Sequence, residues 1–139
     1  MVVTIFWNTP YSNKNKIKLA SNVKTIKLDL NSKFLPQKKY DIIVSNPPYL
    51  SPNEANEIGK NVKYEPETAL FAPSNDPLHY YKRIIEFALI NLNKKGQIYL
   101  EINPVFIKDF NQLLSDFNLN DVNFRDDFRG KKRLVKVSF

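Results

Sequence analysis

In 139 residues the chain has no cysteine, a single histidine (His79) and three glycines, Gly59, Gly96 and Gly130. Without cysteine there is no disulfide, no thiolate-ligated zinc or iron–sulfur cluster and no thiol nucleophile. One histidine argues against a histidine-based triad or a multi-histidine metal site. Average usage would supply about ten glycines at this length, and no G-x-G pair is present, so a glycine-rich phosphate or nucleotide loop starts at a disadvantage. Long apolar runs are missing too. The stretch Met1 to Trp7 is far too short to span a bilayer and no basic region precedes it, so neither a membrane span nor a signal peptide is expected. The expectation is a soluble cytoplasmic protein whose chemistry falls to carboxylates, amides and backbone groups.

What is abundant is asparagine and lysine, 17 of each, with nine prolines. The 21 basic and 14 acidic residues leave a formal charge of +7. Such a charge permits an anionic partner such as RNA or a ribosome. Because the lysines are scattered through every kind of segment, a solvated surface is the simpler reading and a nucleic-acid partner is not favoured. With 42% apolar and 13% aromatic residues, the chain can bury a core, and its length suits one domain.

Val2 to Trp7 is a β-branched and aromatic run ended by Asn8-Thr9-Pro10, as expected of a buried strand. Lys14 to Ser21 reads as a short polar helix and Val23 to Leu28 as a strand closed by Asp29. Tyr40 to Ser45 is a further buried strand, stopped by Asn46-Pro47-Pro48-Tyr49 because neither proline can donate to a ladder. Leu50 to Asp76 has no sustained period, and loops of that length in compact domains are usually functional. From Asp76 as N-cap and Pro77 at the first helical position, Leu78, Tyr81, Ile84, Ile85, Ala88, Leu89 and Leu92 recur at helical spacing, with Gly96 as the stop. Gln97 to Ile102 follows as a strand. Asn103-Pro104 opens a helix with Phe106, Ile107, Phe110, Leu113, Leu114 and Phe117 inward. Asp121 to Arg125 and Arg133 to Phe139 close the chain as two strands around Arg129-Gly130. The alternation predicts an α/β three-layer domain, mainly parallel with an antiparallel C-terminal strand pair.

In such a sheet, ligands bind beyond the carboxyl ends of the strands, which is where Asn46 to Tyr49 stands. The Asn46 side chain offers a carbonyl acceptor and Pro47 a backbone carbonyl. Together they can hold a planar amino group by both hydrogens, with the Tyr49 ring as a flat face beside it. A rigid turn is the bland alternative for Asn-Pro-Pro alone; its place after an apolar strand and before an aromatic makes it specific.

Asp41-Ile42-Ile43-Val44-Ser45-Asn46-Pro47-Pro48-Tyr49 resembles motif IV of class I S-adenosylmethionine-dependent methyltransferases that modify planar nitrogens. Adenine-N6 nucleic-acid methyltransferases share the tetrapeptide. Val62-Lys63-Tyr64-Glu65-Pro66 with Ala69-Leu70, then Leu100-Glu101, then Arg125-Asp126-Asp127 with Arg129-Gly130 and Arg133, resemble the PrmC/HemK family, which methylates a glutamine side chain in peptide chain release factors. The resemblance covers about Val23 to Phe139 and implies a Rossmann-like fold. It implies that Asn46 and the Pro47 carbonyl bind the glutamine NH2 and act as the catalytic groups. Pro48, Tyr49 and Glu65 would line the substrate pocket, and Asn8, Asp29 and Asn46 the cofactor site. Asp29 reads equally as a turn residue, Glu65 as a surface carboxylate, and Glu101 as either a pocket carboxylate or a helix cap. Arg125 and Arg133 look structural.

The resemblance also marks departures. The family's helical substrate-recognition domain, its first core strand and its G-x-G-x-G loop have no counterpart here, so residues 1–139 are expected to be a partial methyltransferase catalytic domain. Asn8 stands where an acidic residue usually meets the ribose, a weaker acceptor than a carboxylate. In the family sheet the first strand is central, so two inner edges are expected to pair with each other, to take up a second copy or partner chain, or to leave the sheet marginally stable. A non-catalytic remnant or binding module of the same fold, and an adenine-N6 nucleic-acid methyltransferase, are the alternatives to a release factor methyltransferase.

Overall fold

The computed structural model describes residues 2–5, 29–32, 38–50, 72–73 and 76–139. The expected helix at Lys14 to Ser21, the strand at Val23 to Leu28 and most of the loop after Leu50 lie outside them. The described elements are strands β1 (Val2–Ile5) and β2 (Tyr40–Ser45), helix α1 (His79–Asn91), strand β3 (Leu92–Glu101), a 3-10 turn (Pro104–Phe106), helix α2 (Ile107–Asp116), and strands β4 (Val122–Asp126) and β5 (Lys132–Ser138).

The five strands form one sheet in the order β1-β2-β3-β5-β4. β1, β2 and β3 are parallel, and β5 runs antiparallel to both β3 and β4, the mixed sheet expected from the alternation of elements. β1 lies directly against β2, pairing Val2 with Ile42 through Ile5 with Ser45. Of the three arrangements expected for the inner edges, pairing with each other is the one observed.

One side of the sheet carries the core. Ile43, Ile98, Leu100, Val135 and Val137 alternate inward with Tyr81, Ile84, Ile85, Phe87 and Ala88 of α1 and Phe110 and Leu114 of α2. Phe110 packs edge to face against Tyr81 at 5.2 Å between ring centroids and stands 6.5 Å from Phe124. Burying such a ring contributes roughly 1.5–3 kcal/mol. On the other side Val44, Tyr99 and Leu134 are exposed, and no described helix covers them. The described residues thus make two layers rather than the expected three, and β2 is buried along one side only. The segment between β1 and β2 lies mostly outside the described residues.

Three boundaries differ from the sequence reading. Helix α1 begins at His79, because Asp76 spends its carboxylate on the turn ahead of it, Oδ1 accepting from the Leu78 N–H at 3.1 Å. It ends at Asn91 rather than near Gly96. The fully buried Asn91 side chain donates to the Phe87 carbonyl at 2.9 Å and accepts from the Lys38 N–H at 2.8 Å, tying the helix end to the entry of β2. Gly96 lies inside β3, where β2 residues Tyr40 and Ile42 face Leu92 and Gln97. The excursion turns at Lys95, with φ 64°, and a Cβ on Gly96 would stand 2.8 Å from the Asn93 carbonyl oxygen. Gly96 is therefore a close-approach glycine. Along α1, Phe87 is buried against Tyr40 while Leu89, expected inward, is 48% exposed. The buried stripe runs through positions 84, 87, 88 and 91, and Leu89 falls off its edge. The second helix starts as a 3-10 turn capped by Asn103, whose side chain accepts from the Val105 N–H at 3.1 Å.

Candidate active site

At the carboxyl end of β2 the chain leaves the sheet as Asn46-Pro47-Pro48-Tyr49. Pro47 and Pro48 are buried, Tyr49 is half-buried against the core, and Asn46 is exposed. Leu50 then accepts from the Ala72 N–H at 3.1 Å. The Asn46 side chain makes no hydrogen bond among the described residues, and the residue is exposed.

The neighbouring strand supplies the second half of the site. β3 ends at Glu101, whose Oε1 accepts from the Tyr49 hydroxyl at 2.8 Å. The backbone oxygen of the same residue accepts from the hydroxyl of Tyr81, 3.2 Å away. Of the two sequence readings of Glu101, the cap is not the one observed: Asn103 caps the turn, and the Glu101 carboxylate holds the Tyr49 hydroxyl. Burial pushes the Tyr81 hydroxyl far above the usual phenol range, opposed by a backbone hydrogen bond at Asn103, so it stays a donor throughout the physiological range. Sequence reasoning took Tyr81 as one more apolar position. A tyrosine in place of phenylalanine at an inward helical position was the available signal, because a buried hydroxyl needs a partner.

Asp29 is exposed and sits in a tight turn. Its Oδ1 accepts from the Asn31 N–H at 2.9 Å, and its backbone oxygen accepts from the Ser32 N–H at 3.0 Å. The turn hangs on the first turns of α1. Asn31 Oδ1 meets His79 Nε2 at 2.7 Å, and Arg83 donates through Nε to the Leu30 carbonyl at 2.8 Å while pairing with Glu86. Since α1 joins two parallel strands, it starts on the side of the sheet where β2 ends. The structure therefore brings Asp29 to the same side as Asn46, with its second carboxylate oxygen unengaged among the described residues. Asn8 and Glu65 lie outside the described residues. Arg133 pairs with Asp127 at 3.7 Å and its carbonyl accepts from the Ile102 N–H at 2.8 Å, the structural role expected of it.

The polar groups at this rim, among the described residues, are the Asn46 side-chain amide, the backbone oxygens after β2 and the Asp29 carboxylate oxygen not used in its turn, with the Tyr49 ring beside them. Neither described glycine serves it, since Gly96 is spent within β3 and Gly130 lies in the β4–β5 turn.

No family model matches the chain. It is 45% identical over 112 residues to the release factor glutamine methyltransferase of Flavobacterium psychrophilum, covering 80% of this chain and 37% of that protein. It is 41% identical over 100 residues to that of Bacteroides thetaiotaomicron, covering 71% and 36%. With the Clostridium botulinum protein of the same name it shares 35% over 133 residues, covering 94% and 47%. The chain belongs to the release factor glutamine methyltransferase family. It spans between about a third and a half of the length of these relatives. A similar fold is found in the hMettl16 catalytic domain solved with the MAT2A 3'UTR hairpin 6, with TM-score 0.64, 18% identity, and coverage of 99% of this chain and 55% of that one. A human methyltransferase 10 domain containing protein is similar at TM-score 0.55 and 14% identity, over 99% and 59%. At those identities the likeness establishes the methyltransferase fold of this family member. No described helix is long and apolar enough to cross a membrane.

Proposed function

We propose that this chain is the catalytic part of a release factor glutamine methyltransferase, transferring a methyl group from S-adenosylmethionine to a glutamine side-chain nitrogen of a peptide chain release factor. The observation that carries the reading is Asn46, an exposed side-chain amide at the carboxyl end of β2 with no hydrogen bond among the described residues, followed by the Pro47 carbonyl.

An amide nitrogen is a poor nucleophile because its lone pair is delocalised into the carbonyl, so placement and electrostatics must do most of the work. Asn46 Oδ1 and the Pro47 carbonyl accept the two N–H groups of the glutamine and fix the plane of its NH2. As positive charge grows on that nitrogen, both hydrogen bonds strengthen, so they favour the transition state over the ground state. Tyr49, its hydroxyl held by Glu101, lines the pocket. Pro48 and, by the family resemblance, Glu65 are assigned to substrate binding, and the nitrogen can lose its proton after transfer, so no general base is needed beforehand. S-adenosylmethionine supplies an electrophilic methyl on a sulfonium when bound. Asp29, Asn8 and Asn46 are the residues that would hold it.

The test is transfer of labelled methyl from S-adenosylmethionine to a purified release factor, alongside calorimetric titration of the cofactor. Labelling of glutamine that disappears in Asn46→Ala supports the reading. No heat at millimolar cofactor sinks the activity of this chain, and transfer to DNA or RNA in place of release factor sinks the substrate.

A further inference from the structure

Four described aspartates and asparagines that open turns use their side chains in the same way. Asp29 accepts from the N–H of Asn31 at 2.9 Å, Asp76 from Leu78 at 3.1 Å, Asn103 from Val105 at 3.1 Å and Asp127 from Arg129 at 2.8 Å. Each is the i to i+2 Asx turn that short side chains of this kind readily form. Asn46 also stands where a chain leaves its strand and turns, yet it forms no such bond. The residue two positions on is Pro48, which has no N–H, and the one between is Pro47, which has none either.

We infer that Pro48 is a positioning residue that acts by withholding a donor: without an N–H at i+2, the backbone cannot capture Asn46 Oδ1, and the acceptor stays available to a ligand NH2. Both proline rings are buried while Asn46 is exposed, so the double proline anchors the backbone and leaves the asparagine side chain outside. A turn residue elsewhere in this fold becomes a binding residue here because its local partner has been removed. The consequence for ligand choice follows. A ligand must bring a hydrogen-bond donor of its own to satisfy Asn46 Oδ1, as an amide NH2 does.

The inference deepens the methyl-transfer reading and rests on it for one readout only. The full chain is prepared as Pro48→Ala, which installs an N–H at i+2, and as Pro48 replaced by lactic acid, which lacks the ring but places an ester oxygen there. Hydrogen exchange of the new amide at position 48 in Pro48→Ala should be slow, and adding Asn46→Ala to that variant should release it, because the protection comes from the Asn46 side chain rather than from burial. Methyl transfer in Pro48→Ala should fall by about tenfold with a raised KM for the glutamine substrate, and the lactic acid variant should recover most of it. Thermal melts accompany each, with Pro48→Gly, which also restores the N–H, as a second donor variant should the first not fold. Two results overturn the inference: an amide at position 48 whose exchange does not depend on Asn46, or a lactic acid variant as inactive as Pro48→Ala. If the unaltered chain transfers no methyl group, the functional reading fails while the exchange experiment still decides this one.

Discussion

Two turns sit on the same rim of the sheet, at the ends of β2 and β4, and they treat similar side chains in opposite ways. In the β4–β5 turn, Asp127 Oδ1 accepts from the backbone N–H groups of Arg129 and Lys131 at 2.8 and 3.0 Å, and Oδ2 faces Arg133 at 3.7 Å. The Asp127 carboxylate is consumed in holding its own loop. After β2, the Asn46 side chain holds nothing among the described residues, while Pro47 and Pro48 are buried. The difference teaches a criterion. A polar residue at a strand end is structural when the adjoining backbone satisfies it, and it is available for binding when the backbone has been made unable to.

The sharpest way to break the contrast is to remove each side chain. Asn46→Ala should reduce methyl transfer by about 10²–10³-fold, the range for deleting one preorganised polar group at a reacting centre. Its melting temperature should not move, because the side chain supports nothing. A comparable loss of stability would show Asn46 to be a structural turn residue after all. Asp127→Ala should do the reverse, lowering the melting temperature by about 2–4 °C and speeding hydrogen exchange at Arg129 and Lys131. Methyl transfer per folded molecule should stay near the unaltered level.

Much of this was readable in the residues, for reasons that also explain what was not. The order of elements announced parallel pairing with an antiparallel close. Asn46 to Tyr49 was legible because two prolines end a strand abruptly and leave few polar groups to choose from. The end of α1 was not, because Gly96 looked like a helix stop when its lack of a Cβ serves the approach to Asn93. Nor was the bond between Tyr49 and Glu101, which joins residues 52 apart in sequence. No periodicity reports such a pairing. For Asp29, sequence allowed a turn or a ligand, and the structure shows Oδ1 engaged in the turn.

A smaller effect sharpens the comparison within the site itself. Tyr49→Phe keeps the ring and deletes the hydroxyl that Glu101 holds, so methyl transfer should fall roughly three- to tenfold, the equivalent of one net hydrogen bond. Glu101→Gln retains an acceptor and should retain most activity, whereas Glu101→Leu should match Tyr49→Phe. The two losses should not add in the double variant, because they break the same bond. Independent losses would mean that Glu101 contributes through something other than Tyr49.

The smallest expected effect concerns acid. The Asp127 carboxyl is held below the usual carboxylate range, first by the Lys131 N–H, then by the Arg129 N–H and by Arg133, against some desolvation. A group whose folded value is depressed contributes stability that is fully present above its unfolded value and is lost as pH falls through the folded one. The β4–β5 turn should therefore keep its Asp127 contribution at neutral pH and give it up in the acid range below ordinary carboxylate titration. Asp127→Asn should remove that part of the acid slope, since the amide cannot titrate and can still accept from both N–H groups. Asn46, which carries no titrating proton, predicts no such slope for the other turn. If melting temperatures of the Asp127→Asn variant and the unaltered chain stay parallel down to pH 2, the carboxylate is not what locks the hairpin, and the contrast between the two turns loses its electrostatic half.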